Sequence, residues 1–221
     1  MRASYHEELD ALLGNLHHMA ELVEHAIIEA TAALLNADLT RAQAVISSDA
    51  RLDEMHEELE FKCLSLLALQ APVAGELRTI VSAIRVVFEL ARMGDLAAHI
   101  AKIARLRFPN HAVVSELVPN FTRMSQVCAE MIHTASQSLD EHDASQARTL
   151  ATTDIEVDEL RRDHFTTVLG EGWSGTTAQA IDVALLGRYY ERFADHAVAV
   201  ARRAIYLITG QTPEGEDWPN A

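Results

Sequence analysis

The stretch Leu16-His17-His18-Met19-Ala20-Glu21-Leu22-Val23-Glu24-His25-Ala26-Ile27-Ile28-Glu29-Ala30-Thr31-Ala32-Ala33-Leu34 decides the fold. Leu16, Met19, Val23, Ala26, Ile27, Ala30 and Leu34 recur at spacings of three and four, extending a pattern begun at Leu9 and Leu12. That is the period of one buried helix stripe. Moved 105 positions along the chain, the seven fall on Phe121, Met124, Cys128, Met131, Ile132, Ala135 and Leu139. The same shift carries Asp38 onto Asp143, Ala42 onto Ala147, Asp49 onto Asp154 and Asp53 onto Asp158. Further on the offset falls to 100, and Arg92-Met93-Gly94-Asp95 meets Arg192-Phe193-Ala194-Asp195. Apolar phase alone is easily matched between two helices, whereas matched acids and caps are not. The chain therefore reads as an all-α protein of two homologous three-helix units, side by side with pseudo-twofold symmetry.

Working outward, Ser4-Tyr5-His6-Glu7 has the form of a capping box that opens the first helix. Asn36-Ala37-Asp38 interrupts that helix, and Asp38 can cap a second running to about Gln70. Pro72 and Gly75 mark the next break, a third helix runs from about Glu76 to Arg107, and Phe108-Pro109-Asn110 ends it. The five lost residues belong at the second-to-third helix connection of the second unit, where length is tolerated. The expected division is 1–110, 111–210 and an acidic mobile tail over 211–221, with Gly210 as the last helix stop. No segment alternates with the period of a strand.

Hydrophobic residues make up 49% of the 221, aromatics only 5%, and glycine and proline number nine and five, a mix that suits close-packed helices. Eighteen basic against thirty-three acidic side chains leave a formal charge of −15, which repels nucleic acid and favours cationic partners. Eleven histidines can trim that charge near pH 6. Cys63 and Cys128 both fall in apolar helical pattern and read as buried thiols of a reducing compartment. The early acids and histidines are unlike a signal peptide, and no apolar run reaches the ~18 residues of a membrane span, so a cytoplasmic location is expected.

Acids recur four apart, on one helix face: Asp49 with Asp53, Asp154 with Asp158, and Glu191 with Asp195. Like charges there cost a few tenths of a kcal/mol (~0.3), so any single pair is ordinarily a solvated face. Pairs on neighbouring helices are a different matter. Four converging carboxylates need a cation or an arginine, and oxygen donors suit Mg, Mn, Fe or Zn. Arg161, Arg162 and Arg192 are the candidate partners for a metal-free version.

Tyr190-Glu191-Arg192-Phe193-Ala194-Asp195-His196, followed by Ile205-Tyr206-Leu207-Ile208-Thr209-Gly210, resembles the E-R-x-x-D-H signature and ending of the PhoU family. Gln70-Ala71-Pro72-Val73-Ala74-Gly75-Glu76-Leu77-Arg78 is similar to that family's helix connection, and Arg92-Met93-Gly94-Asp95 to its first-repeat element. The likeness covers almost the whole chain. It implies a cytoplasmic, commonly homodimeric, non-enzymatic negative regulator of phosphate uptake and of the phosphate-starvation response. The implied partners are the ATPase subunit of the phosphate ABC transporter and a sensor histidine kinase, with membrane contact only through them. It also implies metal ligands at Glu191, Asp195, Asp154 and Asp158, with Asp95, Asp49 and Asp53 as their first-repeat counterparts, and places for Arg92, Arg192 and Arg78 in structure or interaction. The chain departs from the pattern at Ala91, where the family has Glu. Glu89 lies two residues earlier, about 200° around the helix, and is a poor substitute. The second-repeat site is therefore expected to bind metal better than the first. No metal is required for catalysis on this reading.

Other features are blander. Glu130-x-x-His133 has di-iron spacing, but that architecture needs a second such pair, and the repeat puts Ile28 at the matching position. His17, His18 and His25 read as solvated; His99, one turn beyond Asp95, is either a surface residue or a further first-repeat ligand. No phosphate loop or nucleophile elbow occurs. The competing reading is a carboxylate-bridged helical-bundle metalloenzyme or metal-storage protein, which demands ligands at the bundle centre. A plain bundle with solvated acids is a third.

Overall fold

The computed structural model describes residues 2–70 and 72–211. Six α-helices follow one another: α1 (Arg2–Asn36), α2 (Leu39–Gln70), α3 (Gly75–Arg107), α4 (Val118–Asp140), α5 (Ala144–Leu169) and α6 (Thr177–Thr209), with a 3-10 turn at Ser115–Leu117 before α4. There is no strand among the described residues. The expected all-α architecture of two three-helix repeats is the one observed.

The repeat-matched caps have matching roles. Asp38 Oδ1 accepts from the Arg41 amide at 3.0 Å, and Asp143 Oδ1 accepts from the Ser145 amide at 2.8 Å. Gly210 takes the left-handed conformation and closes α6. One boundary needs correcting. Ser4 does not cap α1, because the helix already runs from Arg2 and Ser4 stands inside it. The tail expected from Gly210 onward falls, from residue 212, outside the described residues. The lost residues do not fall in the connection where they were expected: α5 has 26 residues against 32 in α2, while the stretch between α5 and α6 is longer than that between α2 and α3. A capping box at Thr176 and Gln179 then restarts the chain as α6.

All seven apolar residues of the opening stretch, and all seven of their copies, are buried. They converge because α1, α3, α6 and α4 pack in a closed ring, each against the next, while α2 covers α1 and α3 and α5 covers α4 and α6. Phe121, Phe193 and Tyr190 are completely buried at this centre. Each large apolar side chain contributes about 1.5–3 kcal/mol. The Tyr190 hydroxyl donates to Thr31 Oγ1 at 2.5 Å, and Thr31 donates in turn to the Ile27 carbonyl at 2.7 Å, tying α6 to α1 across the ring. Cys128 and Cys63 are both free and buried, which pushes the Cys63 thiol up to about 11 and the Cys128 thiol up further.

The antiparallel α3–α6 seam is fastened at both ends. Arg107 at the end of α3 makes a two-pronged pair with the buried Asp182 at the start of α6, at 2.5 and 3.0 Å. At the other end Arg78 Nε donates to the Leu207 carbonyl at 3.1 Å, where the carbonyl end of α6 attracts a cation. No described helix is long and apolar enough to cross a membrane.

Candidate functional site

The acid pairs lie on the two flanks of the ring, between α2 and α3 and between α5 and α6. In the first repeat Asp49 is half-buried and Asp53 exposed on α2, and Asp95 faces them from α3. Gly94 makes room for this approach: a Cβ there would stand 2.5 Å from Leu52 Cδ1 and 3.5 Å from Asp49 Oδ1. Burial pushes the Asp49 carboxyl up, Asp95 and Asp53 add to the rise, and Lys102 and His99 oppose it. Arg92 donates to Asp95 at 2.9 Å. Ala91 is buried. Glu89 turns to the α3–α6 seam and meets His196 Nδ1 at 2.6 Å, so it does not replace the missing carboxylate. His99 stacks obliquely on Tyr189, with ring centres 5.3 Å apart.

In the second repeat Glu191 side-chain exposure is only 15%, and both its oxygens are engaged. Arg161 of α5 donates to one at 3.0 Å and Arg188 of α6 to the other at 2.5 Å. Asp195 is at the surface; desolvation, then Glu191, and then Asp158 push its carboxyl up, while Arg188 and His196 pull it back. Asp158 is thus within electrostatic reach of Asp195 and of Arg188. Asp154 is buried and acts instead on the Cys128 thiol, on the inner side of α5. Of the arginines considered from sequence, Arg161 is in place while Arg162 and Arg192 are exposed. Arg188 was missed, although its three-residue spacing from Glu191 was a legible signal.

Among the described residues no three His, Cys, Asp or Glu side chains stand together as a ready metal site. The donors are all carboxylates, which suits a hard cation, and Asp49 and Asp195 are raised first by desolvation and then by neighbouring acids on each flank. A cation at the second flank would displace Arg161 or Arg188 from Glu191. The bland histidines have partners: His17 Nδ1 lies 2.6 Å from Asp140 and His133 Nδ1 lies 3.2 Å from Glu24, both across the α1–α4 seam. Glu130 faces Arg123 at 3.7 Å while His133 faces Glu24.

Fold and flanks together define a double three-helix bundle with paired acidic clusters outside its core. The family model described as PhoU domain matches it twice, over residues 16–104 and 121–204. The chain is 46% identical over 213 residues to the phosphate-specific transport system accessory protein PhoU homolog 2 of Mycobacterium tuberculosis, covering 96% of this chain and all of that one. It is 43% identical over 221 residues to homolog 1 of Mycobacterium leprae, with both chains covered in full. The crystal structure of the phosphate transport system regulatory protein PhoU from Streptococcus pneumoniae superposes with a TM-score of 0.85 at 25% identity, covering 94% of this chain and 98% of that one. PhoU from Pseudomonas aeruginosa gives 0.83 at 26%, covering 94% and 100%. This chain belongs to the PhoU family.

Proposed function

We propose that the protein is a cytoplasmic, non-enzymatic negative regulator of phosphate uptake and the phosphate-starvation response. It acts as an adaptor between a phosphate ABC transporter, through its ATPase subunit, and a sensor histidine kinase. The observation that carries this reading is likeness over the full length of the mycobacterial accessory proteins, both repeats included. The flank position of the carboxylates favours an adaptor over a metalloenzyme or a metal store, which would hold its ligands at the bundle centre.

Metal is part of the same proposal. Asp158, Glu191 and Asp195, with Asp154 behind them, take a divalent or iron-type cation (Fe, Zn, Mg or Mn) in preference to Asp49, Asp53 and Asp95. The protein works as a homodimer.

The test is a phosphate-starvation reporter, such as secreted alkaline phosphatase, in phosphate-replete cells lacking this gene and any paralogue. A switched-on reporter restored by the intact gene supports regulation; a silent one refutes it. Metal analysis of the purified chain against Glu191→Ala/Asp195→Ala tests the site, and equal metal content in the two would sink it.

A further inference from the structure

Of the two outer seams in the ring, α3–α6 is bridged by Arg107–Asp182, Glu89–His196 and His99–Tyr189. The α1–α4 seam is bridged by His17–Asp140 and His133–Glu24, yet stays open between them and beyond. A groove of about 640 Å³ lies along it, floored by Ile28, Ala32, Leu35 and Ala129. A second hollow of about 330 Å³ continues it toward His17 and shares Glu24, Ile28 and His133. Ile28 is 44% exposed at the junction, although it sits mid-helix. Ala32 and Ala129 keep the floor low beside it, which admits a backbone closely.

The rim is acidic. Glu24 and Glu130 border the larger hollow and Glu21 the smaller, and no lysine or arginine lines either. The α1 sequence carries six acidic side chains and one arginine. From His17 to Leu35 the groove follows α1 for about 27 Å at 1.5 Å per residue, about five turns.

We propose that the α1–α4 groove is the docking site for a cationic amphipathic helix of a partner protein, its apolar face on Ile28, Ala32 and Ala129 and its basic flanks against Glu21, Glu24 and Glu130. Charge complementarity selects this occupant: the present partners of Glu21, Glu24 and Glu130 are histidines and Arg123 at the surface, and no lysine or arginine lines the groove, so an acidic helix would meet net repulsion there. Helix-in-groove recognition reads anchors at i, i+3, i+4 and i+7, which the length of the groove accommodates. The inference supplies the adaptor reading with a surface, but its test is independent of the reporter.

The probe is a fluorescein-labelled Leu/Lys peptide of about 16 residues with leucines at those spacings, matched to the groove length. Its control is a scrambled peptide of equal composition, and binding is read by fluorescence anisotropy. Expected is binding at least about tenfold tighter than the scrambled control, with a loss of at least about tenfold in Ile28→Lys. Phe61→Lys, on the outer face of α2 where Phe61 is 73% exposed, should bind as the unaltered protein does. Both variants change exposed side chains, and circular dichroism confirms that each is folded. Equal binding of the scrambled peptide, or equal loss in Ile28→Lys and Phe61→Lys, reduces the effect to net charge and overturns the proposal. A wild-type dimer that Ile28→Lys dissociates on sedimentation assigns the groove to a second copy and also overturns it.

Discussion

Gly187→Ala should expose how tightly the second flank is built. A Cβ at 187 would stand 2.9 Å from His164 Nδ1, 3.6 Å from its Cε1 and 3.5 Å from Arg161 Cγ. Ordinary contact begins at 3.4 Å, so the imidazole must retreat by roughly half an ångström. Retreat is blocked. The far face of the ring stacks on Phe121 with centres 4.2 Å apart, and Nε2 is held by Asn120 Oδ1 at 2.6 Å. Overpacking of this kind costs about 1–3 kcal/mol. Against it stands the helix-propensity gain of Ala over Gly, about 1 kcal/mol. Gly14→Ala isolates that gain, because nothing lies within 4 Å of a Cβ at Gly14 in α1. Propensity cancels in the comparison, so Gly187→Ala should be about 1–3 kcal/mol less stable than Gly14→Ala. Urea unfolding with linear extrapolation measures the difference, and thermal melts should separate by about 2–4 °C per kcal/mol. Two variants equally more stable than the parent would show that the ring is free to move, and would refute the argument.

His164 supplies a pH dependence. Burial first, then Arg161, pushes its imidazole down to about 4, so between that value and about 6.5 the unfolded chain binds the proton better. Its contribution is present above about pH 6.5 and is lost as pH falls through that window, by roughly 2–3 kcal/mol. Urea stability from pH 7.5 to pH 4.5 should therefore fall more steeply in the parent than in His164→Gln; parallel profiles would contradict this. Tyr190→Phe removes the buried bond to Thr31 while Thr31 keeps Ile27, and should cost about 1 kcal/mol, an unchanged urea midpoint being the contrary result. Asp195→Asn has the opposite sign. A carboxyl raised in the folded state gives stability at low pH that is lost as pH rises through the folded value, so its removal should stabilise the chelator-treated protein at pH 7 by roughly 0.3 kcal/mol, and not at pH 3. A less stable Asp195→Asn under those conditions would show that the charge is already compensated.

The helices and their repeat were legible because burial imposes a period that survives divergence: the copied positions from Leu16 to Leu34 and from Phe121 to Leu139 are all buried. Caps were legible where one side chain does the work, as at Asp38 and Asp143. They misled at Ser4, where the pattern was present and the helix simply began earlier. The acidic flanks could be read as far as helical faces define them, and Glu191 and Asp158 do act electrostatically on Asp195. Spacing could not show that Asp154 turns inward toward Cys128, since residues four apart differ by only about 40° around the helix and neighbouring elements decide which of them is covered. Nor could it reveal pairs such as His17–Asp140 and Arg107–Asp182, whose partners lie far apart in sequence and meet only through the docking of one repeat on the other.

The difference between the two flanks is a concerted one. By the repeat offsets, Glu191, Arg161 and Arg188 correspond to Ala91, His56 and Phe88. In the second repeat a carboxylate withdrawn from water needs both arginines, and it has them. In the first repeat the carboxylate is absent and so are both cations: His56 and Phe88 meet edge to face at 6.4 Å, and Arg92 lies over the Phe88 ring at 5.3 Å while its guanidinium holds Asp95. Three positions on two helices differ together between the repeats, each set self-consistent in charge. Without Glu191, Arg161 and Arg188 would face each other with no carboxylate between them, and a Glu alone in the first repeat would have no arginine partner at these positions. Ala91 is therefore one corner of a flank packed differently from its counterpart in the second repeat. Restoring the carboxylate there, by Ala91→Glu, would bury it beside His56 and Phe88 with no arginine placed as Arg161 and Arg188 are around Glu191.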